Sequence, residues 1–468
     1  MYRRTLLKGA LAAGFLPALP RLATANPLTL TAAPGEAPLV VPDGPATKAW
    51  LYNATAPGPV LRARQGDTLN ITVQNDLPEP TTVHWHGLRV PVSQDGMPFL
   101  SQPPIAPGAS FDYELPLHDA GTFWYHPHVN SSEQVGRGLH GLLIVEEPPE
   151  IAARLQADRE IAWAIDDWRL DQEAQIAPFG NRHDQSHGGR TGNVLTVNGT
   201  YLTRTPVRSG ERLRLRICNV SNAQNFHLNF GPFDPWLIAL DGHPVDPRKL
   251  GDSGVWLGAG QRADLILDID IAPGTPARVI DDAYGPDRAF EVMTWQVSEE
   301  APLRDTPLGP PEALPPNPVA QPDLTNSETH KLTFDGGAMG GMAEAMMEGK
   351  MLSMQELVEA GRFWSINGTV PTRLHETEPL LKLAKGKTHR IKLENRTRWP
   401  HPIHLHGHSF RFTDPRAGNI ATFRDTALLM PDETTEIALV ADNPGKWMLH
   451  CHILEHQASG MMGVVEVA

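Results

Sequence analysis

Three stretches of this 468-residue chain can be laid over one another, and that repetition constrains the fold more than any other feature. Residues 66–75, 210–219 and 386–395 each open on a glycine (Gly66, Gly210, Gly386), alternate apolar with polar side chains, and close on an asparagine (Asn75, Asn219, Asn395). A period of two marks a β-strand with one buried face, and the glycines mark the turns into those strands. Asn53-Ala54-Thr55, Asn198-Gly199-Thr200 and Asn367-Gly368-Thr369 precede the three copies in the same order. The chain is therefore expected to be all-β, with three consecutive Greek-key β-sandwich domains over residues 26–148, 149–301 and 324–468. Residues 302–323 hold eight prolines and predict a stiff, extended connector.

The outer two copies carry matched histidines. His84-Trp85-His86 follows Gly66 at the distance at which His404-Leu405-His406 follows Gly386, whereas the middle copy has only His227 near that place. Later, Gly121 leads to His126-Pro127-His128 as Gly445 leads to His450-Cys451-His452. Residues two apart on a strand point the same way, so each pair offers two imidazoles side by side, as a metal ion requires. Cys451 points away from His450 and His452, and His401 away from His404 and His406. Two sites follow, on opposite faces of the terminal strand. One gathers His401, Cys451, His456 and Met461, the ligand set of a blue-copper electron-transfer centre. The other gathers His84, His86, His126, His128, His404, His406, His450 and His452. Eight imidazoles exceed the needs of one ion, so several ions are expected; a structural zinc site, with four ligands, would leave half of them idle.

Charge and cysteine content narrow the function classes. Lys plus Arg number 40 against 54 Asp plus Glu, a formal charge of −14, and Arg3, Arg4, Lys8 and Arg21 stand in the first 25 residues. Such a surface repels nucleic acid. Two cysteines, Cys218 and Cys451, exclude a disulfide scaffold, and Cys218, in an apolar strand, reads as core. Residues 1–25 combine Arg3-Arg4, a short apolar stretch and Ala23-Thr24-Ala25, and read as a twin-arginine signal peptide. Its partner would be the twin-arginine export machinery and its destination the periplasm. No later apolar run reaches the ~20 residues of a membrane helix.

The set His84-Trp85-His86, His126-Pro127-His128, His401 to His406 and His450-Cys451-His452 with His456 and Met461 resembles the four copper motifs of the multicopper oxidases, over essentially the whole chain beyond residue 25. The resemblance implies cupredoxin-like domains of the three-domain, laccase-like class, holding four copper ions. It assigns type 1 copper to His401, Cys451, His456 and Met461, type 2 to His84 and His404, and the type 3 pair to His86, His126, His128, His406, His450 and His452. It implies that a small reducing substrate gives electrons singly at type 1, that Cys451 passes them to His450 and His452, and that O2 is reduced to water at the trinuclear cluster. Asp95 matches an acid that relays protons in this family. Where some relatives carry a second acid after the last type 1 histidine, Gln457 stands here and cannot ionise. One chain supplies both halves of the cluster, so a monomer suffices.

The substrate is less legible. Residues 338–354 hold Met339, Met342, Met346, Met347, Met351 and Met354 and are expected to form a glycine-loosened, partly helical insertion. Thioethers favour Cu(I), which points to copper homeostasis, but methionine equally builds an apolar lid. Trp399, just before His401, suits a shallow pocket for a phenol-like donor. A laccase-like oxidase is thus expected, with cuprous oxidation for copper tolerance as the alternative. A copper nitrite reductase lacks four such histidine pairs. A non-enzymatic exported scaffold of the same fold would have lost ligands that are all present. His227 reads as a remnant, and His118, His140, His183, His187, His243, His330, His375, His389 and His408 as surface or packing.

Overall fold

Each of the three repeated strands becomes the centre of a sheet. In the computed structural model, which describes residues 28–40, 44–304, 306–413 and 422–468, they are Thr68–Asn75, Arg212–Asn219 and Thr388–Asn395. Each lies parallel to the first strand of its own unit (Leu28–Ala37, Arg159–Trp168, Ser327–Gly336). On its other side each pairs antiparallel with Ser110–Pro116, Arg262–Asp268 or Thr434–Val440. Each sheet faces a second one across a buried apolar core, giving three cupredoxin-like β-sandwiches in succession. The signal peptide expected over residues 1–25 lies outside the described residues.

The repeated asparagines explain why the pattern is so regular. Asn53, Asn198 and Asn367 adopt φ of 51°, 53° and 52°, a left-handed turn that asparagine tolerates well. Their Oδ1 atoms accept from the N–H of Thr31, Ala164 and Thr333, one residue on each first strand. Asn75, Asn219 and Asn395 each accept from the N–H two residues on. Their Nδ2 groups donate to carbonyls both nearby (Glu79, Gln224, Trp399) and across the sandwich (Ile105, Leu257, Met430). Buried backbone groups at a strand end need partners, and one amide supplies three.

Two expectations need correction. The middle repeat strand, read as half-buried, is buried along its whole length. Its polar face, Arg214 and Arg216, packs on the first sandwich, where Glu147 binds Arg214 at 2.6 Å and Thr122 binds Arg216 at 3.1 Å, while Asp264 of the neighbouring strand binds both arginines at 3.0 and 2.8 Å. Alternation of charge therefore marks an interface here, because paired arginines can be buried where single ones cannot. The methionine-rich segment is a β-hairpin, Glu344–Met347 with Lys350–Ser353; a helix begins only at Met354 and is closed by a Ser353–Glu356 capping box. The proline-rich connector forms neither strand nor helix among its described residues. It lies against the molecule: Asn317 bonds the Ala120 N–H and the carbonyls of Ala120 and Gly242.

The strand pairs that bear the histidines lie in the second sheets of the outer units. His84–His86 pairs with Gly121–His126, setting His84 opposite His126. His401–Leu405 pairs with Gly445–Cys451, setting His404 opposite His450 and Ile403 opposite Cys451. Because Asn219 belongs to the unit without histidine pairs, Asn219→Ala isolates the structural role of these amides. It should cost about 2 kcal/mol by leaving buried carbonyls unpaired, read as a lower melting temperature. An unchanged melting temperature would mean that these bonds contribute nothing.

Candidate metal centre

His401, Cys451 and His456 converge in the interior of the third sandwich. Cys451 Sγ lies 3.5 Å from His401 Nδ1 and 3.7 Å from His456 Nδ1, and the two nitrogens are 3.1 Å apart. The opposite ring nitrogens are held by the protein: His401 Nε2 by Thr397 Oγ1 at 2.8 Å, His456 Nε2 by the His187 carbonyl at 2.6 Å. Such outer bonds fix the ring and leave the inner nitrogen free to ligate. Met461 is fully buried in the same apolar cluster, and its carbonyl accepts from the Cys451 N–H. Burial pushes the Cys451 thiol well above its ordinary value and drives His456 down to about 3. The pocket is thus built for a neutral imidazole pair and for a thiol that gives up its proton only to a metal.

On the other face of Gly445–Cys451 the eight remaining imidazoles crowd into one cluster, with neighbouring rings 3.8–5.9 Å apart. His86, His126 and His452 form one triad with ring centroids 5.0–5.9 Å apart. His128, His406 and His450 form a second at 4.9–5.2 Å. His84 and His404 lie 5.7 Å apart, each stacked at 3.8 Å on a histidine of the other sandwich, His406 and His86. Every group draws on both the first and the third sandwich, so the site exists only at their interface.

The two halves mirror each other down to their supports. His84 Nδ1 bonds the Asp95 carbonyl at 2.8 Å, and the Asp95 carboxylate reaches His406 Nδ1 of the third sandwich at 2.9 Å. His404 Nδ1 bonds the Asp425 carbonyl at 2.9 Å, and the Asp425 carboxylate reaches His86 Nε2 of the first at 3.1 Å. With one nitrogen committed, Nε2 of His84, His126, His128 and His404, Nδ1 of His86 and both nitrogens of His452 have no hydrogen-bond partner among the described residues. Buried polar atoms are rarely left so, and this many, aimed together, fit metal ions as their partners.

Several supports escaped the sequence reading. Asp425 answers Asp95 but lies 21 residues after His404 where Asp95 lies 11 after His84, so the offset from the repeat glycine does not find it. Burial alone would raise the Asp425 carboxyl, but Arg262, His86 and His404 hold it well below the usual range. Arg262, from the middle sandwich, binds both Asp425 oxygens at 2.8 and 2.6 Å and also the Thr122 carbonyl of the first. Gly260 (φ +85°) lets the middle backbone pass beneath the cluster; a Cβ there would stand 2.9 Å from the His452 ring. Glu455, buried, joins Ser132 of the first sandwich at 2.5 Å to Asn222 and the Arg190 N–H of the middle one. Gln457 is buried between Ser131 and His128. Cys218 is fully buried, in line with a core role.

Sequence models of the multicopper oxidase family match residues 36–150, 161–280 and 346–468. A multicopper oxidase structure from Pseudomonas thermotolerans is 36% identical, covers 95% of this chain and 99% of its own, and superposes with a TM-score of 0.80. Multicopper oxidase MmcO of Mycobacterium tuberculosis is 28% identical over 92% of this chain and 85% of its own length. Laccase-1 of Thanatephorus cucumeris is 27% identical over 90% and 87%.

The histidine environment makes the metal-free protein acid-sensitive. Burial first, then neighbouring imidazoles, hold His126, His128, His406, His450 and His452 well below the ordinary histidine value of 6.5. The unfolded chain then binds protons that the folded one refuses, so stability is full above about pH 6.5 and falls as pH drops below it. Melting of the copper-free protein near pH 7.5 and pH 5.5 should show a clear loss at the lower value; equal melting temperatures would contradict this. With its domain matches spanning the chain and its imidazoles arranged as described, the chain belongs to the multicopper oxidase family and is a copper-dependent oxidoreductase.

Proposed function

We propose that this chain is a laccase-like oxidase that couples four one-electron oxidations of a small phenol-like donor to the reduction of O2 to water. The carrying observation is the gathering of eight buried imidazoles from two sandwiches on one face of a strand whose other face holds a separate two-histidine, one-cysteine pocket. In this reading His401, Cys451, His456 and Met461 hold the type 1 ion and His84 and His404 the type 2 ion. One type 3 ion falls to His86, His126 and His452, the other to His128, His406 and His450, four coppers in all. When bound, copper supplies one-electron exchange at the first site and multi-electron reduction of O2 at the second.

The protein's own contribution is connection, orientation and proton supply. Cys451 is covalently adjacent to His450 and His452, so one short stretch of backbone joins the two sites. Asp95, buried and bonded to ligands of both halves, stands where protons consumed in water formation are needed. A cavity of about 490 Å³ runs from His128 and Gln457 to Phe99, His375 and Glu376, and suits passage of O2 and water. The donor meets a closed door at the other end: the His401, Cys451 and His456 side chains are fully buried and the His187 carbonyl covers His456. The cover is aromatic. Trp399 lies 5.5 Å from the His187 ring, which stacks on His183 at 3.9 Å, and this surface suits a flat organic donor.

Cuprous oxidation is supported by a different observation. Met339 is 75% exposed, and the neighbouring Ala338 N–H bonds the Ser186 carbonyl, which brings a soft thioether to the His183/His187 surface. The exported periplasmic location and the monomeric state belong to the same reading; no helix among the described residues is long and apolar enough to cross a membrane.

Copper-loaded protein should carry about four ions and an intense blue absorption that Cys451→Ser removes together with oxidase turnover. A colourless, inactive protein after reconstitution would sink the oxidase reading. Turnover of a phenol and of Cu(I) under air should then be compared in Trp399→Ala and Met339→Ala. A loss of at least several-fold on phenol alone in Trp399→Ala supports the laccase-like reading, and a selective loss on Cu(I) in Met339→Ala supports the alternative. Asp95→Asn should keep the blue absorption but lower turnover about 100-fold or more, since proton transfer by a placed group is worth that much.

A further inference from the structure

His330 and His389, which the sequence alone assigns to surface or packing, meet in the sheet of the third sandwich that carries none of the histidine-pair strands. The parallel register of Ser327–Gly336 on Thr388–Asn395 sets Glu328 opposite His389, with His330 two residues further on, so all three side chains leave one face. His330 Nε2 lies 3.0 Å from His389 Nδ1, and Glu328 Oε2 lies 3.6 Å from that same nitrogen. One donor atom from each of the three lies within 4.8 Å of the other two. His389 is fully buried, His330 half-buried and Glu328 exposed, so the convergence point opens to solvent on the carboxylate side.

We propose that Glu328, His330 and His389 form a site for a divalent transition cation, Zn(II) or Cu(II), separate from the copper centres of the oxidase. Four ligands at ~2.0–2.1 Å around a tetrahedral ion stand about 3.4 Å apart, and the observed 3.0 and 3.6 Å bracket that edge. The outer support is in place as well: His389 Nε2 bonds the Ala384 carbonyl at 3.1 Å, which fixes the tautomer whose Nδ1 carries the free lone pair. That lone pair now accepts from His330 Nε2, and the cation replaces the shared proton. Burial and the adjacent His389 hold His330 below its ordinary value, which favours its neutral, ligating form. Imidazole with carboxylate suits Zn(II) and Cu(II); the site has no thioether or thiolate to favour Cu(I). An ion here would join the first strand of the sandwich to its repeat strand, and water would complete the shell.

The test is calorimetric titration of Zn(II) into copper-loaded enzyme, with the blue absorption followed to show that the copper centres stay filled. Wild type should bind one zinc per chain and melt at a higher temperature with zinc than without. His330→Gln should remove both effects, and Glu328→Gln should weaken binding about tenfold or more. Both changes lie outside the oxidase machinery and should leave blue colour and turnover unaltered. Equal zinc uptake by wild type and His330→Gln, or none by wild type, overturns the proposal.

Discussion

Much of the cluster depends on one constraint: a buried neutral imidazole that gives one nitrogen to the protein has its other nitrogen aimed. The chain meets it with two acids used twice each. Asp95 takes His84 of its own sandwich on its carbonyl and His406 of the other on its carboxylate; Asp425 does the same for His404 and His86. Because each acid spans the interface, the two sandwiches cannot dock without orienting the rings, and the rings cannot be oriented without docking. The stacked pairs His84 on His406 and His86 on His404, both at 3.8 Å, follow from that reciprocal grip.

The middle sandwich has lost the histidine pairs but not its part in the site. A carboxylate with no exposure to water carries a desolvation cost of several kcal/mol, which only a close cation offsets. Arg262 supplies it, bidentate on Asp425, with Asp241 beneath. The same unit shields the mononuclear pocket with His187 and anchors Glu455. Its arginine-bearing strand holds it to the first sandwich through the buried Glu147, which pairs with both Arg214 and Arg216. The repeat without histidine pairs thus serves the site through clamping residues instead.

The sequence made the repeats, the sheet class and the convergence of the histidine clusters legible because these rest on local periodicity: glycine offsets, alternation, and pairs two residues apart. It could not reveal Asp425, since more residues separate His404 from Asp425 than His84 from Asp95, nor Arg262 and Gly260, whose roles exist only once a third unit packs under the cluster. His187 was hidden for another reason. Its backbone carbonyl, not its ring, holds His456, and a carbonyl leaves no mark on residue type. The methionine segment misled because spacing of methionines is as compatible with a hairpin as with a helix; the turn at Glu348, with φ of 50°, followed by Gly349 decides for the hairpin.

That carbonyl also determines how a donor must act. His456 is the outermost of the type 1 candidates in chain connectivity, sitting on a short helix rather than in the sheet, yet its remote nitrogen is already bonded and it has no exposed surface. No donor can touch a ligand directly. In the proposed reading electrons cross one layer of protein, and the layer at hand is the stacked pair His183 and His187 with Trp399 edge-on, and the exposed Met339 nearby in sequence. Selectivity then depends on what this thin cover will hold close, flat aromatic rings or soft cations, while the buried chemistry below is the same for both.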